Sequence, residues 1–418
     1  MVSRRMKKVT GVFLAICTAF CMSACGSERN NNVSLEPVKP IDIDEKYVMS
    51  STDFAINLFK ENALSDAGNG KNMMISPESI QLALSMTANG AKGDTLTQME
   101  DVLCRGLAID EQNEYNYSVM NKQMNDEGVE LSIANSLWIK DDHNVKVRDL
   151  FLETVKTYYN ADAFLKPFNT YTTDEINTWV SDNTNGMVKD ILDRIDEAAI
   201  LYLINAVAYE GEWEEKYEDN QVKENTDFYN VDGSVSKVSM LKSNESYYMH
   251  DEKSKAFIKP YKGGNYGFMA ILPNEEVSVE EYIASMTGDG YRSLFNSRDS
   301  GMIVYAGIPE FGYDYSCLLN DNLISIGMTE AFDDANADFS NMADSRDNIY
   351  INRVLHKTHI EVDRNGTKAA AATVVEMEKV TCEGPTESVE IILDRPFIYA
   401  IVDMKTGLPI FIGTVAHF

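Results

Sequence analysis

The stretch 366-GTKAAAATVVEMEKV-380 lies close to the C-terminus and sets four alanines in a row ahead of valines and acids. Written as a strand, it divides into two faces. Thr367, Ala369, Ala371, Thr373, Val375 and Met377 form one face, uncharged and small at its start. Lys368, Ala370, Ala372, Val374, Glu376 and Glu378 form the other, charged at three of its six positions. That is the pattern of a strand with one face on a core and one facing out. Four alanines also favour helix over strand, so local composition leaves a simple Ala-rich helix open. A segment that reads both ways can live as an exposed loop and still fit inside a sheet. Gly366 would supply a backbone hinge at its start.

The chain around it has 418 residues, 44% apolar and 25% charged, enough for a large core. A formal net charge of -29 argues against binding nucleic acid, which needs a basic surface. Acids are spread along the chain, as on a solvated surface. At the N-terminus Arg4, Arg5, Lys7 and Lys8 precede an apolar run from Val9 to Met22, and Ser23 and Ala24 lead into Cys25. Residues 1–24 read as a signal peptide. "MSAC" resembles a bacterial lipobox, which would make Cys25 a lipidation site and tether the chain outside the cytoplasm at the bacterial membrane; ordinary cleavage near Ala24, giving a secreted chain, is the alternative. Residues 25–46, polar with prolines and no periodicity, read as a linker, and 47–418 as one large domain. Of six cysteines only Cys104, Cys317 and Cys382 lie beyond Cys25, with no paired spacing, so disulfides do not organise this fold.

The first half of that domain is helix-rich. In 75-ISPESIQLALSMTANGA-91, Ser76 is the predicted N-cap, Pro77 the first helical residue, and Ile80, Ala83, Leu84 and Thr87 a buried stripe. Gly93–Leu103 is a second helix, with Thr95 and Gln98 in capping-box spacing. Residues 131–139 alternate as a strand, 147–159 are an amphipathic helix, and 172–192 hold another that Asn185-Gly186 ends. The second half is strand-rich: 199–213, two strands about Gly263-Gly264, then runs near 302–311, 358–362 and 389–393, and a closing hairpin about Lys405-Thr406-Gly407. Helices first and strands later predict an α+β fold.

Catalytic chemistry finds little support. No HExxH, GxSxG, Walker or GxGxxG motif is present. His356 and His359 would face opposite sides of a strand and could not share a metal. Residues 332–342 are Asp-rich but lack the glycine and terminal glutamate of a calcium loop. No metal or other cofactor is expected, and the chain does not read as an enzyme.

The segment 365-NGTKAAAAT-373 resembles the proximal hinge of the reactive-centre loop of a serpin, and further blocks match in family order. They are 72–99, 133–139, 176–192, 203–217, 327–342 and 395–418, so the resemblance covers about 47–418. It implies the serpin fold and a suicide inhibitor of serine proteases. A target attacks the loop, forms an acyl-enzyme, and is trapped when the cleaved loop enters the central sheet as a new strand. Gly366, Thr367, Ala369, Ala370, Ala371, Ala372 and Thr373 would be the hinge and inserting segment. Ser76, Ser79, Asn205 and His356 match the shutter where the sheet parts, and Trp213 the breach at its top. Asn177 matches a packing position on the helix covering the sheet.

Counting from Gly366 puts Val380 before the scissile bond and Thr381 after it, with Met377, Lys379 and Cys382 as other registers. Valine there suits an elastase-like protease. A non-inhibitory serpin acting as a binding module, or an inhibitor of cysteine proteases, are the alternatives. The family's usual glutamate two residues before the hinge glycine is Arg364 here. This implies a lost acidic partner, easier sheet opening, and a higher melting temperature for Arg364→Glu. A monomer is expected.

Overall fold

Ser76 ends an extended segment and starts a helix, and its side chain accepts the Ser79 N–H as the N-cap. This is the first of many local signals that the fold obeys. The computed structural model describes residues 38–418 apart from 67–70, 124–127, 142–143, 185, 187, 189–190, 197–198, 200 and 368–386. In chain order come α1 (Glu45–Asp66), β1 (Met73–Ile75), α2 (Pro77–Ala88), α3 (Gly93–Cys104) and α4 (Ile109–Gln123). Next are β2 (Val129–Lys140), β3 (Val145–Val147), α5 (Asp149–Tyr159), β4 (Asp162–Lys166) and α6 (Thr170–Asn183). The strand-rich half holds β5 (Leu201–Glu212), β6 (Val222–Tyr229), β7 (Val235–Glu245), β8 (Tyr247–His250), β9 (Ser254–Pro260) and β10 (Tyr266–Pro273). Two helices, α7 (Val279–Ser285) and α8 (Gly288–Asn296), precede β11 (Ile303–Pro309), β12 (Phe311–Leu318) and α9 (Asn320–Ser325). The chain closes with β13 (Ala343–Ser345), β14 (Val354–Val362), β15 (Gly366–Thr367), β16 (Ser388–Ile392), β17 (Phe397–Asp403) and β18 (Pro409–Val415). This is the α+β arrangement expected.

The largest mixed sheet runs β12-β14-β15-β5-β2-β4. A second six-stranded sheet runs β1-β18-β17-β10-β9-β8, a four-stranded one β16-β11-β7-β6, and β13 pairs with β3. On one face of β5, Leu201 and Leu203 meet the helical core while Val207 and Tyr209 meet residues of the second sheet. On its other face, Tyr202 and Ile204 pack with Ile176 and Val180 of α6. Burial on both faces explains the apolar run read in the sequence. Asn177 fixes α6 to the chain that follows it: its amide donates to the Leu192 carbonyl at 2.8 Å and its oxygen accepts the Leu192 N–H at 3.0 Å.

Three expectations need correction. Every residue of α2 is buried, not a single stripe, because the helix runs through the core; Gln81 compensates by donating to the Leu103 carbonyl at 2.7 Å. Thr95 and Gln98 form no capping box, since the N-cap of α3 is Lys92, three residues before Thr95. Gln98 instead accepts the N–H groups of Thr329 and Glu330. The end of α6 falls where the glycine signal predicts: its last helical residue is Asn183, and Gly186, at φ 75°, donates its N–H back to the Ser181 carbonyl at 2.8 Å. The linker gives way before residue 46: α1 already includes Glu45, Asp44 accepts the Tyr47 N–H and the Tyr115 hydroxyl, and the Ile41 N–H reaches Ser118. Residues 1–37, including Cys25, lie outside the described residues. No helix among the described residues is long and apolar enough to cross a membrane.

Candidate functional site: a half-open slot in the largest sheet

The strands β14 and β5 run parallel at the centre of the largest sheet. At one end they pair directly, Val354 with Leu203 and Leu355 with Ile204. At the other end they are held apart by two residues. Thr367 pairs with Val362 on one side and Gly211 on the other, and Gly366 with Glu212. Between these ends, His356–Glu361 and Asn205–Glu210 have no registered partner across the gap among the described residues. The sheet is therefore parted at one end and closed at the other, with six residues of unpaired edge on each strand.

The wedge is built by a tight turn. The Asp363 carboxylate accepts the N–H groups of Asn365 at 2.6 Å and Gly366 at 3.1 Å, and its own N–H donates to the Gly366 carbonyl at 3.0 Å. Gly366 is needed for close approach rather than as the left-handed hinge that glycine alone permits: a Cβ there would collide with the Gly211 carbonyl oxygen. Thr367 is buried, and its hydroxyl shares a hydrogen bond with the Tyr261 phenol, which burial keeps protonated by pushing its pKa up. Trp213 stacks on Tyr261 at 4.7 Å, its N–H donates to the Asn365 carbonyl at 2.9 Å, and its indole Nε1–H to the Asp363 carbonyl at 2.8 Å. Trp213 thus reads the turn through its backbone.

Arg364 is not short of acidic partners. Its guanidinium lies 2.9 Å from Asp219 and 3.6 Å from Glu310. These two ion pairs tie the turn to both neighbouring segments and argue against an arginine that loosens the top of the sheet.

At the closed end, the Ser76 N–H donates to His356 Nε2 at 3.0 Å and the Thr358 hydroxyl to the Met74 carbonyl at 2.9 Å. Ser76, Ser79 and His356 are all buried. With Nε2 accepting, the ring proton sits on Nδ1, which has no hydrogen-bond partner among the described residues. Burial drives the imidazole pKa down from 6.5 to about 3, so the ring is neutral. Asn205 lies on β5 opposite Asn135; its side chain is outside the described residues. His359 points the other way, to Asp314 at 2.9 Å. Among the described residues no group of three or more His, Cys, Asp or Glu could hold a metal. Residues 368–386 lie outside the described residues, and with them Ala369, Ala370, Ala371, Ala372, Thr373 and the Val380–Thr381 bond.

Sequence reasoning missed the support beneath Trp213. Lys259 and Glu245 form a buried ion pair at 3.1 Å. The Lys259 ammonium also lies 4.4 Å from the Tyr217 ring centre and 5.6 Å from that of Trp213. Burial pushes the Glu245 carboxyl up, opposed by the Lys259 charge and by the Ser243 hydroxyl that donates to it at 2.6 Å. Nothing local marks this pair, which joins β7 to β9. The turn "DRNG" at 363–366 was the one signal that could have found Asp363.

The site is thus a large mixed sheet parted at one end, with Gly366 and Thr367 between β14 and β5, and buried polar groups at its closed end. The serpin family model, described as serpin (serine protease inhibitor), matches residues 49–418, and the chain belongs to that family. An uncharacterized serpin-like protein of Methanosarcina acetivorans is 28% identical over 99% of both chains. A serpin-like protein of Thermococcus kodakarensis is 30% identical, covering 94% of this chain and 91% of its own. The native state of the thermophilic serpin tengpin matches with a TM-score of 0.84 and 42% identity, over 92% of this chain and 98% of that one. The latent state of tengpin matches at 0.80, with 41% identity, over 91% and 100%.

Proposed function

We propose that the protein is an inhibitory serpin that traps serine proteases of elastase-like specificity in a single turnover. The observation that supports this most directly is the length of the unpaired slot. Continuing the antiparallel register from Thr367 would set Ala369 level with Ile360 and Tyr209, Ala371 with Thr358 and Val207, and Thr373 with His356 and Asn205. The six residues 368–373 would fill the gap, with small side chains on the buried face and Lys368 on the outer face between Glu361 and Glu210. Going further requires parting the two pairs Val354–Leu203 and Leu355–Ile204, where Ser76 and His356 stand. Insertion adds backbone hydrogen bonds along both strands and buries apolar surface, which supplies the driving force after cleavage. Val380–Thr381 is the proposed bond. The lipobox supports presentation outside the cytoplasm through lipid on Cys25.

The test is to mix the domain with pancreatic or neutrophil elastase and follow it by denaturing gel and mass spectrometry. A denaturant-resistant complex with a released fragment beginning at Thr381 is the expected result. Ala371→Arg, which would bring a charge to the buried face, should leave cleavage intact and abolish the complex. Clean cleavage of the unaltered chain by every serine protease tried would overturn the inhibitory reading. Loss of membrane partitioning and of fatty-acid labelling in Cys25→Ser would test the anchor.

A further inference from the structure

A cavity of about 250 Å³ opens between α7, α8 and the β8–β9 turn, away from the slot. Its inner wall is apolar and aromatic: Met286, Leu294, Tyr282 and Tyr291 are all buried. Tyr291 holds a buried hydroxyl with no hydrogen-bond partner among the described residues. Its outer wall carries Asp251, a fixed carboxylate. One oxygen accepts the N–H groups of Lys253 at 2.8 Å and Ser254 at 2.6 Å and the Ser254 hydroxyl at 3.0 Å; the other accepts the Tyr282 hydroxyl at 2.7 Å. Those bonds orient the group: the first oxygen is filled, and the second, which accepts only the Tyr282 hydroxyl, keeps one acceptor site. Glu252 and Lys253 at the mouth offset each other, so the remaining charge is that of Asp251.

We propose that this cavity binds a small arylalkylamine, with the ring against the apolar wall and the ammonium at Asp251. The volume lies below the ~300–1,000 Å³ usual for drug-sized ligands, which limits the body to one or two rings. An aromatic wall beside a carboxylate favours a cation attached to a ring over an anion. Anions gain little from the start of α8, because the Thr287 hydroxyl already accepts the Gly290 N–H at 3.0 Å.

Tryptamine is the probe, titrated calorimetrically into the protein at physiological salt, where attraction to the acidic surface at large is screened. Indole-3-acetate, with a carboxylate in place of the amine, and n-butylamine, with no ring, are the comparisons. Gly290→Leu fills the mouth and leaves every charge in place; Asp251→Asn removes the carboxylate. Tryptamine should bind with a Kd below about 1 mM and lose roughly tenfold or more in affinity in either variant, and both comparison compounds should be weaker by a similar factor. Should Asp251→Asn fail to fold, Gly290→Leu carries the test alone. Absence of tryptamine binding, unchanged binding in Gly290→Leu, or equal binding of indole-3-acetate would each overturn the proposal.

Discussion

His356 makes the closed end of the slot sensitive to acid, and the size of the effect follows from its burial. Its pKa falls from 6.5 to about 3 in the folded chain. Below pH 6.5 the unfolded chain takes a proton that the folded chain refuses, so this contribution to stability is full above 6.5 and is lost as pH falls. Each pH unit costs about 1.4 kcal/mol, and the loss ends near pH 3 after about 5 kcal/mol. At pH 5 it amounts to about 2 kcal/mol. Carboxylates also titrate over this range, so the comparison is with His356→Gln, which carries no titrating ring. Urea unfolding at pH 7.5 and pH 5 measures both. At pH 7.5 the variant should be less stable by the packing of the lost ring, since a glutamine oxygen can still accept the Ser76 N–H. That deficit should shrink by about 2 kcal/mol at pH 5. Parallel pH profiles would show that His356 is not held neutral and would sink the argument. A chain poised on this histidine should also open its sheet more readily in acid, visible as lower amide protection factors in β14 and β5 once the intrinsic exchange rate at each pH is divided out.

Three further outcomes follow from the upper end of the slot. Gly366→Ala cannot keep β15 between its neighbours, and should cost about 2–3 kcal/mol in lost hydrogen bonds while exposing the Asp363 and Trp213 amides, which donate to the Gly366 and Asn365 carbonyls, to exchange; unchanged protection would refute the close-approach argument. Arg364→Glu puts a third acid beside Glu310 and Asp219, so the melting temperature should fall, on the order of 1 °C, rather than rise; a rise would restore the lost-partner idea. Lys259→Met strands Glu245 in the core and should destabilise by about 3–5 kcal/mol, whereas Lys259→Met with Glu245→Leu should recover most of it; failure of the double variant to recover would mean that the ammonium acts mainly through Trp213 and Tyr217.

What the sequence made legible was whatever depends on neighbours along the chain. The cap at Ser76, the proline after it, the two-faced run of β5 and the hairpin closing the chain are local in cause, and each is found where its residues predict. The positions Trp213, Gly366 and His356 were reachable through resemblance, but their partners were not. Gly366 matters because Gly211 lies against it, 155 residues away in the chain, and no periodicity reports that distance. Arg364 shows the cost of reasoning from one missing partner: the charge at that position changed, and the surroundings hold Asp219 and Glu310 to meet it. Thr95 and Gln98 had the spacing of a cap and serve a different segment, because tertiary contacts outbid a motif worth about 1 kcal/mol. The slot itself is the extreme case. It consists of hydrogen bonds withheld between two strands, and a sequence encodes such an absence only through the segment able to fill it. On the proposed insertion 366–373 is that segment, and the small residues on one of its faces would match the space between β14 and β5.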